Sequence, residues 1–538
     1  MPGLFHALAM LVGILTATFA LVPFLLRRLG RAIGSHIRDS TQQRRQILLA
    51  RAAAEEKEHT LDEEWEKVKT DDGPHTPPQP SGTSDAHVGA DHHFSGVVAF
   101  FHPFCNAGGG GERVLFAAIE ATQQRYPSAL CVVYTGDHDA SKAQILTNVR
   151  HRFNIHLRPA RVAFLYLSTR PWILASQWPR FTLLGQSLGS LLVAWDAFHL
   201  LPPDIFIDTM GYAFTLALSN FLFPAVPTAA YVHYPTISTD MLRSLHSSGD
   251  TSQGLHAGLG TGLRGKAKQY YWDLFARLYS WVGGHVDVVM TNSTWTQRHV
   301  QSLWRTSRTQ RGKSHPIEVV YPPCAVGELQ DKIPVTRETE SQRTRNILYI
   351  AQFRPEKMHG TILDAFAAFL KSQHQTPNQP TPKLILVGSV RDDQDEKRVY
   401  MLRLQAQEMK EHVEFVVNAG WPQILEFLRT SSVGVNGMWN EHFGIGVVEY
   451  QAAGLISVVN DSGGPKEDIV IPIDGERTGF HATTPSDFAE AFASALALSP
   501  ADAHAMRLRA RQSSWRFSEA VFARAWLRQM EALVGMAG

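Results

Sequence analysis

Ser432-Val433-Gly434-Val435-Asn436-Gly437-Met438-Trp439-Asn440-Glu441-His442-Phe443-Gly444-Ile445-Gly446-Val447-Val448-Glu449 reads as a short strand, a glycine-bearing turn and the start of a helix. The apolar run Val433-Gly434-Val435 precedes the turn, and an apolar helical pattern runs from Val447 to Ala453. A helix that starts at such a turn presents free backbone N–H groups, which suit a phosphate or a sugar. Glu441 precedes the turn and Glu449 lies about one helical turn beyond it, so the two carboxylates need not share a face. They read as contacts to two parts of one ligand, and the pattern suggests an enzyme that grips a nucleotide sugar. The spacing alone carries little weight; its place between a strand and a helix gives it meaning.

Outward from this stretch the same alternation recurs. Asn346-Ile347-Leu348-Tyr349-Ile350, Lys383-Leu384-Ile385-Leu386-Val387, Val413-Glu414-Phe415-Val416 and Ile456-Ser457-Val458-Val459 are further strands, with helical patterns between them. Earlier in the chain Val97 to Phe101, Leu130 to Tyr134, Asp204 to Ile207, Ala229 to Val232 and Val286 to Met290 do the same, with a helix from about Glu112 to Tyr126. Such alternation predicts parallel, doubly wound sheets. Tyr321-Pro322-Pro323 and a polar stretch interrupt it, so two α/β domains are expected, at 95–322 and 345–516. A hinge at 323–344 joins them, and a helix at 517–538 is positioned to pack back on the first. Ligands of such sheets sit at the carboxyl ends of strands, and between two domains the natural site is the cleft.

Three more segments fall at strand ends. Cys105-Asn106-Ala107-Gly108-Gly109-Gly110-Gly111-Glu112-Arg113 is a glycine loop between strand and helix, suited to phosphate contact. It lacks the Gly-Lys-Ser/Thr of a Walker A loop, and the dinucleotide fingerprint is imperfect. A flexible turn is its bland reading. Gln352-Phe353-Arg354-Pro355-Glu356-Lys357 sets a fork donor and a point charge three residues apart, which suits a diphosphate. An exposed basic pair is the bland alternative. His233, in Tyr231-Val232-His233-Tyr234-Pro235, ends a strand in the expected cleft and is a candidate catalytic group beside Glu441, or a satisfied structural histidine. No Asp or His completes a hard-ligand set beside the glutamates, so no metal site is expected.

The chain has 538 residues, too many for one core. Its 51 Lys and Arg against 50 Asp and Glu exclude a global case for nucleic-acid binding. Cys105, Cys131 and Cys324 are far apart, which fits a reducing compartment. Gly3 to Leu26 is uncharged apart from His6, and a helix of that length reaches about 36 Å, enough for a bilayer core of roughly 30 Å. Arg27, Arg28, Arg31, Arg38, Arg44 and Arg45 follow it. Residues 1–30 are therefore expected to be a single transmembrane anchor with a lumenal N-terminus and cytosolic domains. A cleaved signal peptide would carry its charge on the other side. Residues 31–94 are a charged arm and linker: 46–72 read as a charged helix or a disordered arm, and 73–93 as a linker. In the cytosol the sequons at Asn292 and Asn460 stay bare.

Together, Arg354-x-x-Lys357 and Glu441-x7-Glu449 resemble the donor site of the retaining glycosyltransferases of family four, built on the two-Rossmann GT-B architecture. Gly108 to Leu115, Asp208 to Phe214, Tyr231 to Met241 and Asn440 to Ile445 resemble the branch of that family that acts on dolichol-linked oligosaccharides in the endoplasmic reticulum. The resemblance runs from about residue 95 to the C-terminus and leaves residues 46–93 without a role. It implies transfer of mannose from GDP-mannose in α-1,2 linkage onto a dolichol-diphosphate-linked trimannosyl chitobiose and onto its product. It places this on the cytosolic face of the endoplasmic reticulum membrane, without a metal and with other glycosyltransferases of the pathway as further partners. It also implies that Arg354 and Lys357 hold the diphosphate, with Gly110 and Gly111 near the donor phosphate or the acceptor hydroxyl. Glu441 would bind mannose hydroxyls beside His233, Glu449 the ribose, and Phe443, Gly444 and Ile445 would offer backbone contacts. Another GT-B enzyme of the pathway, or a non-catalytic scaffold of that shape, remains as the alternative. The apolar regions Arg161–Leu201 and Tyr270–Trp281 read as core helices or as a surface dipping into the bilayer.

Overall fold

The computed structural model describes the backbone of residues 2–70, 94–244, 263–373 and 380–538, and the side chains of 21–58, 94–242, 265–372 and 380–538. Thirteen strands in these residues form two parallel sheets. The first contains β1 (Val97–Phe101), β2 (Leu130–Thr135), β3 (Val162–Tyr166), β4 (Ile205–Asp208), β5 (Thr228–Val232), β6 (Val288–Thr291) and β7 (Ile317–Val319), in the order β3-β2-β1-β4-β5-β6-β7. The second contains β8 (Ile347–Ile350), β9 (Leu384–Gly388), β10 (Val413–Val417), β11 (Val433–Asn436), β12 (Ile456–Asn460) and β13 (Gly479–Ala482), in the order β10-β9-β8-β11-β12-β13. In both sheets the order reverses beside the first strand, which is the doubly wound plan.

Burial on both faces explains the near-continuous apolar strands. Val97, Ala99 and Phe101 enter one core of the first domain, and Val98 and Phe100 enter the other. The helix Glu519–Ala537 belongs to the second of these cores: Trp526 lies fully buried there, stacks on Phe100 and donates Nε1–H to Thr122 Oγ1 at 3.0 Å. The last helix packs on the first domain. Burial of a side chain of this size is worth about 2–3 kcal/mol. The segment read as a hinge contains two short helices, Val326–Lys332 and Arg337–Gln342, which pack on helices of the second domain. The chain crosses between domains just before them and again at 515–518. The two crossings touch, with the Cys324 N–H donating to the Phe517 carbonyl at 2.9 Å and an isolated bridge between Cys324 and Ser518.

The N-terminal arm is a helix, Pro2–Thr70, and its described part lies against the first domain. At Gly34 a Cβ would stand 2.0 Å from the Leu222 carbonyl oxygen, so the absent side chain lets two helices touch. Arg45 pairs with Asp204 at 2.5 Å, Glu55 with Lys142 at 3.0 Å, and Glu56 with both Arg158 and Arg161. A hydrogen bond from Arg161, reinforced by Arg158, holds the Glu56 carboxyl below its usual range against the effect of burial. Of the two readings of 46–72, a charged helix and a disordered arm, the helix is the one seen in the described residues, which end at Thr70. Among the described residues no helix is long and apolar enough to cross a membrane. The expected span Gly3–Leu26 falls mostly on side chains outside the described set, as does the linker 73–93.

Arg161–Leu201 is not a run of helices. It opens with edge strand β3, passes through short 3-10 turns and ends in the helix Thr182–Leu200. All three cysteines are buried and free, and Asn292 and Asn460 are 4% and 6% exposed.

Candidate active site

The carboxyl ends of β1, β4 and β5 form one wall of the cleft. After β1 the glycine loop turns into the helix Gly110–Arg125, whose first turn is tied by Glu112: its Oε2 accepts the Gly109 N–H at 2.6 Å. A Cβ on Gly110 would stand 2.8 Å from Ile445 Cδ1 of the second domain, and one on Gly111 would stand 3.7 Å from His233 Nε2. The glycine loop, His233 and Ile445 therefore meet where the domains face each other.

His233 follows β5. The Thr209 backbone holds its ring, while Nε2 is sheltered from water and has no hydrogen-bond partner. Burial, with His102 nearby, pushes the imidazole down to about 4, so the ring is neutral near pH 7. A neutral ring with a free nitrogen can serve a sugar hydroxyl. Behind it lies His102, fully buried at the end of β1, with Nδ1 2.8 Å from Thr209 Oγ1 and Nε2 3.7 Å from Glu112 Oε1. Burial pushes the Glu112 carboxyl up, but His102 and the backbone N–H groups outweigh it and the net direction is down.

The opposite wall comes from β8 and β11. Lys357, in a 3-10 turn after β8, bonds Glu441 Oε2 at 2.5 Å and touches Met438 Sδ at 3.1 Å; Asn436 Nδ2 reaches the same carboxylate oxygen at 3.4 Å. Burial raises the Glu441 carboxyl, but the Lys357 ammonium outweighs it and holds the group below its usual range. The residues expected to bind phosphate and sugar are thus paired with each other. Arg354 is half-buried; Nη1 lies 3.8 Å from Glu356, and its sheltered Nε has no partner. Gly444, at φ +106, turns the chain into the helix Ile445–Ala453. Phe443 is 3% exposed and packs on Tyr321 and Phe517, so only its backbone can face a ligand. Glu449, on that helix, has no ion-pair partner among the described residues. Burial raises its carboxyl, opposed by Arg113 across the cleft and reinforced by Glu328.

Sequence reasoning missed several groups that bridge the walls. Tyr234 of the first domain stacks on His442 of the second at 4.1 Å and 19°, with Trp295 alongside. Asn440 Nδ2 donates to Asp240 Oδ2 at 2.8 Å. Asp468 accepts the N–H and hydroxyl of Thr294 at 2.9 and 2.5 Å and the Tyr321 hydroxyl at 2.9 Å, and Arg298 pairs with Glu467. A cavity of about 160 Å³ lies among Tyr234, Asp240, Trp295, Trp439, Asn440 and His442. His102 had a signal, since it ends a strand as His233 does; Asp468 had none.

Residues 95–304 match the family described as ALG11 mannosyltransferase N-terminus, and 335–513 match glycosyl transferases group 1. A Neurospora crassa protein named GDP-Man:Man(3)GlcNAc(2)-PP-Dol alpha-1,2-mannosyltransferase is 58% identical over 540 residues, covering 98% of this chain and 96% of the relative. The chain belongs to this mannosyltransferase family. A human relative of the same name is 43% identical over 439 residues, 81% of this chain and 87% of the relative. Mannosyltransferases of this family are thus similar to the chain through both domains. Among solved structures, sucrose-phosphate synthase from Thermosynechococcus elongatus has a TM-score of 0.58 at 16% identity, covering 82% of this chain and 99% of that one. Trehalose 6-phosphate synthase from Burkholderia multivorans has a TM-score of 0.57 at 14% identity, covering 83% and 100%. Those likenesses bear on the fold, which is a GT-B-like pair of parallel-sheet domains.

Proposed function

We propose that the chain transfers mannose from GDP-mannose in α-1,2 linkage onto dolichol-diphosphate-linked trimannosyl chitobiose, adding the fourth and fifth mannoses with retained configuration at the cytosolic face of the endoplasmic reticulum. The observation that carries the site assignment is the approach of Gly110, next to Gly111 and His233 in one domain, to Ile445 of the other, four residues from the Glu441 that pairs with Lys357. Family membership supports the substrates.

GDP leaves as an anion, and positive charge aimed at the diphosphate stabilises the transition state. Lys357, released from Glu441, and Arg354 supply that charge without a metal ion, and the free N–H groups at Ile445 and Gly446 add to it. Glu441 then accepts from mannose hydroxyls, Glu449 from the ribose, and neutral His233 from a sugar hydroxyl. Gly110 and Gly111 leave room for the reacting groups. A double displacement needs a carboxylate about 5 Å across from the leaving group. Glu441 is engaged by the mannose hydroxyls in this reading and no other carboxylate is assigned to that position, so front-face substitution guided by the departing diphosphate suits this site better. Contact with the bilayer is supported by the exposed Leu188, Leu192 and Trp195 on one helix and Tyr270, Leu274 and Trp281 on another, both flanking the helix Ala213–Leu222 that also carries the N-terminal arm.

Membranes containing the chain, given radiolabelled GDP-mannose and a defined trimannosyl acceptor, are expected to yield a product two mannoses longer and sensitive to an α-1,2-mannosidase. Transfer only onto another acceptor would favour a different enzyme of the pathway, and no transfer from any sugar nucleotide would favour a scaffold. A second test concerns Glu449. Its folded-state carboxyl titrates above the unfolded value, so its ionised form weakens the fold at neutral pH, and the loss is relieved as pH falls through the folded value. Glu449→Gln is therefore expected to raise Tm at pH 7 by a few degrees while weakening GDP binding. A lower Tm, or unchanged GDP affinity, would refute the assignment.

A further inference from the structure

Glu328, Trp421 and Glu449 stand on three packed helices beside the cleft. Glu328 is on Val326–Lys332, which packs along the helix Ile445–Ala453 carrying Glu449. Trp421 opens the helix Trp421–Thr430 just beyond the carboxyl end of β10 and is 37% exposed. Its Nε1–H donates to Glu328 Oε1 at 3.2 Å, and Lys332 Nζ bonds the same oxygen at 2.7 Å. Oε2 receives no hydrogen bond among the described residues. Burial raises the Glu328 carboxyl, but Lys332 and Trp421 outweigh it, so the group is ionised at neutral pH. Arg113, reaching over from the first domain, interacts with both Glu328 and Glu449.

We propose that Glu328 selects the base of the donor nucleotide, its Oε2 accepting hydrogen bonds from the ring N1–H and the 2-amino group of guanine. The inference rests on the reading of GDP-mannose as donor. With the ribose on Glu449, the base attached to it falls among the neighbouring helices, at the carboxyl end of β10 where ligands of parallel sheets lie. Guanine sets a ring N–H and an amine side by side, the pattern a carboxylate can accept twice. At the same edge adenine and cytosine offer a bare ring nitrogen, and uracil flanks its N–H with carbonyls. Trp421 is a positioning residue: by occupying Oε1 with Lys332 it leaves Oε2 turned to the ligand.

Inosine diphosphate keeps N1–H and lacks the 2-amino group, so it isolates one of the two bonds. Binding to the full chain in detergent is expected to favour GDP over inosine diphosphate by about ten- to a hundredfold. Glu328→Gln is expected to lose most of that preference, chiefly by weakening GDP. Trp421→Phe, which removes only the indole N–H, is expected to narrow it, and carries the test if the first variant does not fold. A wild-type preference retained in full by the folded variants overturns the role of Glu328 and leaves the donor reading intact. Failure of the wild-type chain to bind GDP overturns the donor reading itself, and this inference with it.

Discussion

Lys357→Ala is expected to lower the rate of mannose transfer by about 10²–10³-fold. The ammonium is the donor-site cation held nearest the sugar-binding carboxylate, and no other described cation lies within 4 Å of Glu441. The same change should destabilise the ligand-free protein by about 1–3 kcal/mol, because it leaves a largely sheltered Glu441 carboxylate unpaired. The direction with pH follows from the depressed Glu441 carboxyl. The pair's stabilisation is fully present above the unfolded carboxyl value of about 4.5 and is lost as pH falls through the lower folded value. Wild type and variant should therefore converge in stability in acid. Adding Glu441→Gln to Lys357→Ala should restore most of the stability and none of the turnover. Denaturant unfolding and a transfer assay separate the two effects, and wild-type turnover by Lys357→Ala would refute the donor-site assignment.

Gly463→Ala should cost about 10²-fold in kcat although the residue touches no expected substrate. Gly463 has φ +65, and a Cβ there would stand 2.3 Å from the Glu441 carbonyl oxygen and 2.9 Å from its nitrogen. Its neighbour Gly464 donates its N–H to that same carbonyl at 2.8 Å. Backbone strain of about 1–2 kcal/mol and the clash both push on the one residue whose position the sugar contact needs. Gly475→Ala is the control. It has φ +81 with no atom within 4 Å of the added carbon, so it bears the strain without the push and should keep its turnover. Equal losses in both variants would place the effect in general stability.

The strands legible in the sequence are those with clear apolar runs between turn signals. Three were not. β3 lay inside a longer apolar stretch that resembled helix, β7 is the three residues Ile317-Glu318-Val319, and β13 carries His481 on the sheet edge. At the site, Arg354, Lys357, Glu441 and Glu449 were visible because each sits at a strand end or a helix start. Their pairing was not, because whether Lys357 meets Glu441 depends on how β8 and β11 pair, which neither segment encodes alone. The contacts of Tyr234 with His442 and of Asp240 with Asn440 join different domains and leave no local periodicity. The packing of the N-terminal arm was hidden for a related reason: the partners of Glu56 are Arg158 and Arg161, far along the chain.

The two chain crossings bonded through Cys324 and Phe517 have a mechanical consequence. A single linker would let the halves twist, slide and tilt. Two strands laid side by side act instead as a door hinge, leaving one easy swing about their common line. Admission of a nucleotide and release of its spent form would then follow one arc, in opposite senses. Each swing would part the stacked Tyr234 and His442 rings and let them re-seat in the same register.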